Sequence, residues 1–564
     1  METRVDGYIK RYEELKKVKQ AWLPMYDLIG EFIMTRKQGF TSEQNPGEFM
    51  TDGLYDGTAP RANSLMASIL TGMIWGNGAK TFRLLRPEYM PETKEVKEFF
   101  ERATLIMATL MDEAESGLLV SLGEYMLDQG SFGTSGIGAF EREVYPYIKY
   151  TPWDVKTMCI DEGEDGKVDT LFNEQKLTLK KLAQRYGLES LPGTLKEKII
   201  NGQLMDTVQV IHIIEPREIV NPDMLGTLDM PFASIHIELS TKTILHESGY
   251  NQMPVFVTRF YKVLGEIYGR SPGMEALPDI MELNALWEMA MRGMEKTVTP
   301  PLIAVDDGRL GGGNINTSAG ALTVIRPTGA LGIDKPLYPL HTVGDIGILE
   351  PLIQKLSEAI TNAFALDRLL DLNNDTRMTL GEAQIRNKIR GDSLGSLFAR
   401  QKAELLTPLI NRSFAIFLEK GLFGAFPGTS ESMQEGAYII PDMIAGAILS
   451  GQEVYRIQYI SPAERIIKSE EIQGILTTLD TVNTYGDRFP EMADNIDEDR
   501  AIARVHELSG GTPDILRSKE EIEQIRESRR QQMEARMKME ARSQMAATAQ
   551  TMAQAQATIN PREG

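Results

Sequence analysis

The chain has 564 residues, 42% of them apolar and 25% charged. At about 150 residues per domain this is three or four domains' worth of material, with enough apolar content for a sizeable core, which excludes wholesale disorder. Sixty Lys and Arg face 80 Asp and Glu, a formal net charge of −20; this argues against gripping a nucleic-acid backbone over the whole surface, which needs clustered cations, while local contact or loose enclosure of DNA stays compatible.

Residues 1 to about 135 read mostly as helix. Tyr8, Ile9, Tyr12, Leu15, Val18 and Trp22 recur at steps that line one helical face. A second helix is predicted from Pro60 through Trp75, with Ala62, Leu65, Met66, Ile69, Leu70 and Met73 inward. A third covers about 94–130 and is broken by Gly130, Gly133, Gly136 and Gly138. From about 138 to 263 the period changes to two. Tyr145, Tyr147, Lys149–Thr151, Val208–Ile214, Ser234–Leu239, Thr243–His246 and Val255–Tyr261 favour strand. They predict a small antiparallel sheet or barrel, interrupted by a short helix at Leu179–Tyr186.

Ser271-Pro272 reads as a helix start, with serine as N-cap and proline in the first turn. The helix should run to about Val298, kink or restart at Pro278, and stop at Pro300-Pro301. Its length of about 27 residues at ~1.5 Å each makes a rod of roughly 40 Å. Residues 299–343, rich in Gly, Pro, Thr and Val, read as a compact non-helical insertion. A second helix follows over about Asp345–Leu366, with Ile348, Leu352, Leu356, Ile360 and Phe364 on one stripe. Two long helices thus bracket a small β-type excursion.

Leu370–Arg377 is a polar loop, and the next helix, about Thr379–Gly421, is expected to bend near Gly391 or Gly395. Residues 427–460 read as mixed, with Tyr455–Tyr459 strand-like. Helices return at about Pro462–Tyr485, 493–508 and Ser518–Ile559. The last carries Arg526, Arg529, Arg530, Arg536 and Lys538, then turns to Ala, Gln, Met and Thr without a regular heptad. Such a helix is anchored only where several copies pack together. The fold class expected is α+β, predominantly helical.

The search for chemistry returns little. One cysteine, Cys159, precludes an internal disulfide or a thiolate cluster. No apolar run approaches the ~18 residues that span a bilayer, and Met1–Asp6 lacks a secretion-signal layout, so a soluble, intracellularly made protein without membrane contact is expected. The five histidines, His212, His236, His246, His341 and His506, show no zinc spacing. His236 and His246 fall in neighbouring predicted strands and can meet as an ordinary cross-strand pair. Gly76-Asn77-Gly78-Ala79-Lys80-Thr81 resembles a phosphate loop, but Ile74 and Ala79 replace the glycines that permit close backbone approach. Gly311–Gly313 reads as a loop tip, and Gly133–Gly138 lacks dinucleotide spacing. No cofactor and no metal are expected. Glu275, Asp279 and Glu282 stack at four and three on the helix after Pro272, where like charges weaken it by a few tenths of a kcal/mol per pair. Alone this is a solvated acidic face; repeated around a ring it becomes circles of negative charge that keep a passing polyanion from adhering.

Several strings together resemble one family. Tyr268-Gly269-Arg270-Ser271-Pro272, Leu277-Pro278-Asp279-Ile280, Leu283-Asn284 and Pro300-Pro301 are similar to the podovirus-type bacteriophage portal, or head-to-tail connector, family. Tyr55-Asp56-Gly57-Thr58-Ala59-Pro60, with Trp75 and Phe82 beyond it, resembles that family's N-terminal region. Tyr459-Ile460-Ser461-Pro462-Ala463 and Pro513–Ser518 resemble its later segments. Met378-Thr379-Leu380-Gly381-Glu382 departs from the family's Met-Thr-Ala-Thr-Glu.

The resemblance implies a portal-type subunit of a homododecameric ring with a central DNA channel. Residues 1–270 would be the wing, with the sheet at about 138–263; 271–298 and 344–366 the stem helices; 299–343 the clip. Residues 367–378 would be the tunnel loop, with Asn373, Asn374, Asp375 and Arg377 nearest the duplex, and Glu275, Asp279 and Glu282 on the channel wall. Residues 379–510 would supply a long bent helix and the remaining wing and crown, and 511–564 a crown or barrel helix. Implied partners are further copies of the chain, the terminase large subunit, the major capsid and scaffolding proteins, a tail adaptor or tail tube, internal core or ejection proteins, and double-stranded DNA. The chain would be a non-enzymatic part of the virion, assembled in the host cytoplasm. A hydrolase with an unrecognised carboxylate site and a non-viral oligomeric scaffold are the rival readings. Sequence-specific DNA binding is disfavoured by the charge and the lack of a basic recognition helix.

Overall fold

The computed structural model describes residues 4–42, 51–76, 81–91, 93–217, 226–305, 318–325, 337–339, 346–364, 397–429, 438–460, 468–485, 495–508 and 519–559, with 47, 316, 395 and 517 as single positions. The chain forms two compact units, Met1–Ile467 and Lys468–Gly564. The fold is α+β.

In the first unit, α1 (Arg4–Gln20) and α2 (Leu23–Phe32) precede α3 (Thr58–Ile74), the short strand β1 (Phe82–Leu85), α4 (Lys94–Asp112) and α5 (Leu118–Phe132). The single helix expected over 94–130 is two: Gly117, at φ +73, takes a left-handed turn between them. Tyr12 and Leu15 are buried as expected, but Val18 is exposed and Trp22 lies past the end of α1, where Pro24 starts a new helix. Leu65, expected inward on α3, is exposed; Ala67 takes the inner face.

Two antiparallel sheets replace the single sheet or barrel expected. The smaller has β2 (Thr134–Glu141) between β3 (Ile148–Trp153) and β9 (Val255–Arg259). The larger is a meander of β4 (Met158–Glu162), β5 (Val168–Thr178), β6 (Thr207–Pro216), β7 (Phe232–Glu238) and β8 (Thr243–Tyr250). Gly136 and Gly138 are therefore strand residues, not helix breakers; a Cβ on Gly138 would sit 2.8 Å from Trp153 Nε1. Alternation along the meander gives it two apolar faces. Phe172, Ile211, Ile213 and Ile235 pack under Tyr12 and Leu15 of α1. Val210 and Leu245, on the other face, pack under α6 (Leu179–Tyr186) and α7 (Gly193–Ile200). The first of these two helices was legible from sequence; the second was not.

After the sheets comes α8 (Pro272–Val298), unbroken through Pro278. The insertion after it holds a three-stranded sheet, β10 (Leu302–Val305) between parallel β11 (Leu322–Ile325) and antiparallel β12 (Leu337–Pro339). A 3-10 turn, Ile346–Leu349, leads into α9 (Glu350–Ala363). The polar loop 370–377 and Gly391 lie outside the described residues, as do 77–80 and 311–313. The described part of the following helix is distorted at Lys402–Leu406, a π turn just before α10 (Thr407–Glu419). α11 (Asp442–Leu449) and β13 (Arg456–Tyr459) close the unit, β13 pairing with β1 in the register Phe82↔Tyr459. One core runs from α2 through α3, α4, α5, the smaller sheet, α8, α9 and α10.

The second unit consists of α12 (Ser469–Tyr485), α13 (Glu498–Leu508) and the 41-residue α14 (Lys519–Ile559). Arg504 pairs with Glu471 at 2.8 Å and Arg526 with Asp499 at 2.7 Å. Met533, Met537, Met539, Met545 and Met552 of α14 are exposed. Among the described residues no helix is long and apolar enough to cross a membrane.

Candidate functional site

The long helix α8 is fixed at its start by residues that do two jobs each. Ser271 Oγ accepts the Met274 N–H at 3.0 Å, capping the helix, and donates to the Ser131 carbonyl at the end of α5 at 2.6 Å. The backbones meet there because side chains are missing. Gly133 sits at φ +71, and a Cβ on it would lie 2.5 Å from the Arg270 carbonyl carbon; a Cβ on Gly273 would lie 2.9 Å from the Gly130 carbonyl oxygen. Tyr268 is buried against Trp22, whose ring also lies 5.3 Å from the Arg270 guanidinium. Further along α8, buried Asn284 accepts the N–H groups of Tyr55 and Asp56 at 2.7 and 3.2 Å and donates to the Gly53 carbonyl at 3.0 Å. Three of the strings that carry the family resemblance thus secure α8 at two points: 268–272 at its start, and 55–56 with Asn284 midway along it.

Burial along α8 is graded. Ala276, Ile280, Leu283, Trp287, Met291, Met294 and Val298 follow one another at steps of three and four, a single stripe. Leu283 is fully buried, whereas Met294 is 44% and Val298 80% exposed. The partner helix α9 mirrors this: Ile360 and Phe364 are buried, Leu356 is partly buried and Leu352 is exposed. Both helices are therefore held at the end joined to α2, α3 and α5 and bare toward the end that carries β10–β12.

Glu275 and Glu282 are exposed and Asp279 half-exposed, on a face of α8 distinct from the apolar stripe. Among the described residues no cation pairs with any of the three. Glu275 lies in the first turn, beside the positive end of the helix dipole. Asn373, Asn374, Asp375 and Arg377 lie outside the described residues, so they are not brought together with this face.

Sequence reading missed the buried charges. Arg259 is fully buried on β9, bonded to Glu162 and, at 3.1 Å, to Glu404 of the π turn. Lys37 holds both oxygens of buried Asp128, at 2.8 and 2.6 Å; burial pushes the Asp128 carboxyl up to about 7 against the pull of Lys37. Arginine inside the apolar run Val255–Arg259 was the available signal, but its partners lie 97 and 145 residues away. His236 and His246 do meet, at 6.0 Å, and His212 extends the row, stacked on His236 at 4.0 Å. Burial pushes His212 down to about 3 and lowers His236 as well, His212 and Arg185 adding to the effect on His236. His212 bonds Ser234 and His236 bonds Tyr186, so both rings have ordinary protein partners. Among the described residues no group of three His, Cys, Asp or Glu is placed to hold a metal ion.

A family model described as "Bacteriophage head to tail connecting protein" matches residues 5–516. The portal protein of Salmonella phage epsilon15 is 26% identical over 544 residues, covering 95% of this chain and 92% of its own. The probable portal protein of Bordetella phage BPP-1 is 26% identical over 538 residues, covering 93% and 91%. The match spans α1, both sheets and the anchored helix pair, so the chain belongs to the bacteriophage head-to-tail connecting protein family.

Proposed function

We propose that this chain is the portal subunit at one capsid vertex, a ring through which double-stranded DNA is packaged and ejected and to which the tail attaches. The observation that carries the reading is the end-to-end relation to two proteins named as portals, over 95% and 93% of the chain. In this reading residues 1–270 form the wing, α8 and α9 the stem, and 299–343 the clip. The loop 367–378 faces the channel, and 511–564 build a crown. The bare distal stripe of α8 and α9 supports closure against further copies, because a head-to-tail contact that closes on itself buries on each subunit what it cannot bury alone. Exposed Glu275 and Glu282 and half-exposed Asp279 then line the lumen, and repulsion lets a duplex slide. The role is structural and mechanical; terminase supplies packaging force, while capsid, scaffolding and tail-adaptor proteins dock outside.

Negative-stain imaging and sedimentation of the purified protein test this. The expected result is a ring of many copies, most simply twelve, with an open centre and no ATP turnover. Compact particles without a pore, or a monodisperse monomer at micromolar concentration, overturn it.

A further inference from the structure

The helix ending at Glu419 changes pitch near its start. Over Lys402–Leu406 the chain makes a π turn, in which the Thr407 N–H reaches back five residues to the Lys402 carbonyl. The cause is local. Pro408 offers no N–H to the Glu404 carbonyl and its ring crowds that oxygen, and one surplus residue in the turn carries the carbonyl clear. Absorbing that residue back into α geometry would turn the helix before it by about 100° and shift it by about 1.5 Å.

Phe398, Leu405 and Leu406 pack into the core, and beside them the turn has polar neighbours that are only partly satisfied. The Tyr125 hydroxyl donates to Gln401 Oε1 at 2.9 Å, and Arg259 Nη2 binds Glu404 at 3.1 Å. The Ser135 and Thr258 hydroxyls lie beside that of Tyr125, and the Gln129 amide is 3.5 Å from it. Gln129, Ser135, Thr258 and Arg259 are all fully buried. Even so, Gln129 Oε1 and Arg259 Nε have no hydrogen-bond partner among the described residues. A close-packed apolar contact admits one register, since each side chain fills one gap. Rotatable hydroxyls and amides with spare capacity can instead pair with a helix that has stepped by one residue. Among the polar contacts that hold the present register are Arg400 to the Phe260 carbonyl at 3.2 Å, Tyr125 to Gln401, Thr407 to the Tyr459 hydroxyl at 2.7 Å, and Glu404 to Arg259.

We propose that Lys402–Leu406 is a register switch: with the Arg259–Glu404 latch closed the helix keeps its π turn, and with the latch open residues 397–401 step by one position against α5, β2 and β9. This goes beyond the portal reading and does not depend on it.

The chain's only cysteine, Cys159, is buried, so a single added thiol reports cleanly. Ala399 is exposed, and Ala399→Cys in the full chain should react rapidly with a maleimide. Pro408→Ala restores the missing N–H, and Glu404→Gln weakens the latch while keeping the side chain's shape. In each background, reaction at Ala399→Cys should slow about tenfold as the position turns toward the body. Cys159 should stay unreactive, and a control thiol at exposed Leu105 should keep its rate. An unchanged or faster rate at Ala399→Cys in both backgrounds overturns the switch.

Discussion

Asn284, buried midway along α8, accepts the backbone N–H of Tyr55 at 2.7 Å across 229 residues of sequence. The same amide satisfies Asp56 and Gly53, so one side chain neutralises three main-chain groups of a segment that has no secondary structure of its own. It also sets where α3 begins, because Asp56 in turn accepts the Thr58 N–H at 2.9 Å.

Asn284→Ala leaves those groups partly buried and unpaired, each orphan costing about 1–3 kcal/mol. The expected outcome is a drop in thermal midpoint of several degrees with helix content retained, measured by circular dichroism. An unchanged midpoint would mean that water replaces the amide without loss.

Gly133→Ala combines a left-handed φ with overlap against the Arg270 backbone. Gly421 has a similar φ of +68, but a Cβ there would meet nothing within 4 Å, so it isolates the backbone part. Gly421→Ala should cost about 1–2 kcal/mol. Gly133→Ala should cost clearly more and sharply reduce soluble yield; equal losses in the two variants would contradict the close approach described at the start of α8.

The histidine row predicts an acid limb. His212 keeps a folded pKa of about 3, below its ordinary 6.5, so above pH 6.5 its contribution is complete. As pH falls from 6.5 toward 3 the unfolded chain takes up a proton that the folded chain refuses, and stability declines by up to about 1.4 kcal/mol per pH unit. Urea midpoints measured from pH 7 to pH 4 should fall, and His212→Gln should flatten the fall. A slope identical in the variant would assign the limb to other groups.

Glu275→Lys, Asp279→Lys and Glu282→Lys together change side chains that are exposed or half-exposed, so each should alter stability by no more than about 0.5 kcal/mol. Particles carrying the triple change should eject DNA several-fold more slowly at low salt. The wild-type rate should return as added salt shortens the screening length to about 8–10 Å. Equal ejection at low salt would remove this face from the lumen.

What was legible in the sequence is what local chemistry dictates. Ser271-Pro272 and Pro300-Pro301 bracket α8 because a cap and a missing N–H act within one turn. Thr178, which accepts the Lys181 N–H, likewise starts α6. The misreadings came from distant partners. Trp22 carries on the apolar spacing of α1, but its ring is claimed by Tyr268 and Arg270. Gly136 and Gly138 look like breakers until Trp153 and Phe140 occupy the space a side chain would need. Pro408 went unread, although proline was the local cause of the π turn. The acidic face of α8 could be picked from spacing alone. The Arg259–Glu162–Glu404 cluster could not, because nothing in a strand names the carboxylates that will neutralise it.

The graded burial of α8 has a consequence for the life of a newly made subunit. In the portal reading the bare end from Met291 to Val298 is a cantilever that neighbouring copies would steady, so in a free subunit this end should fray first and be nicked first by proteases. Protection from cleavage there would then serve as a clock for assembly, ticking only once the subunit has found its place.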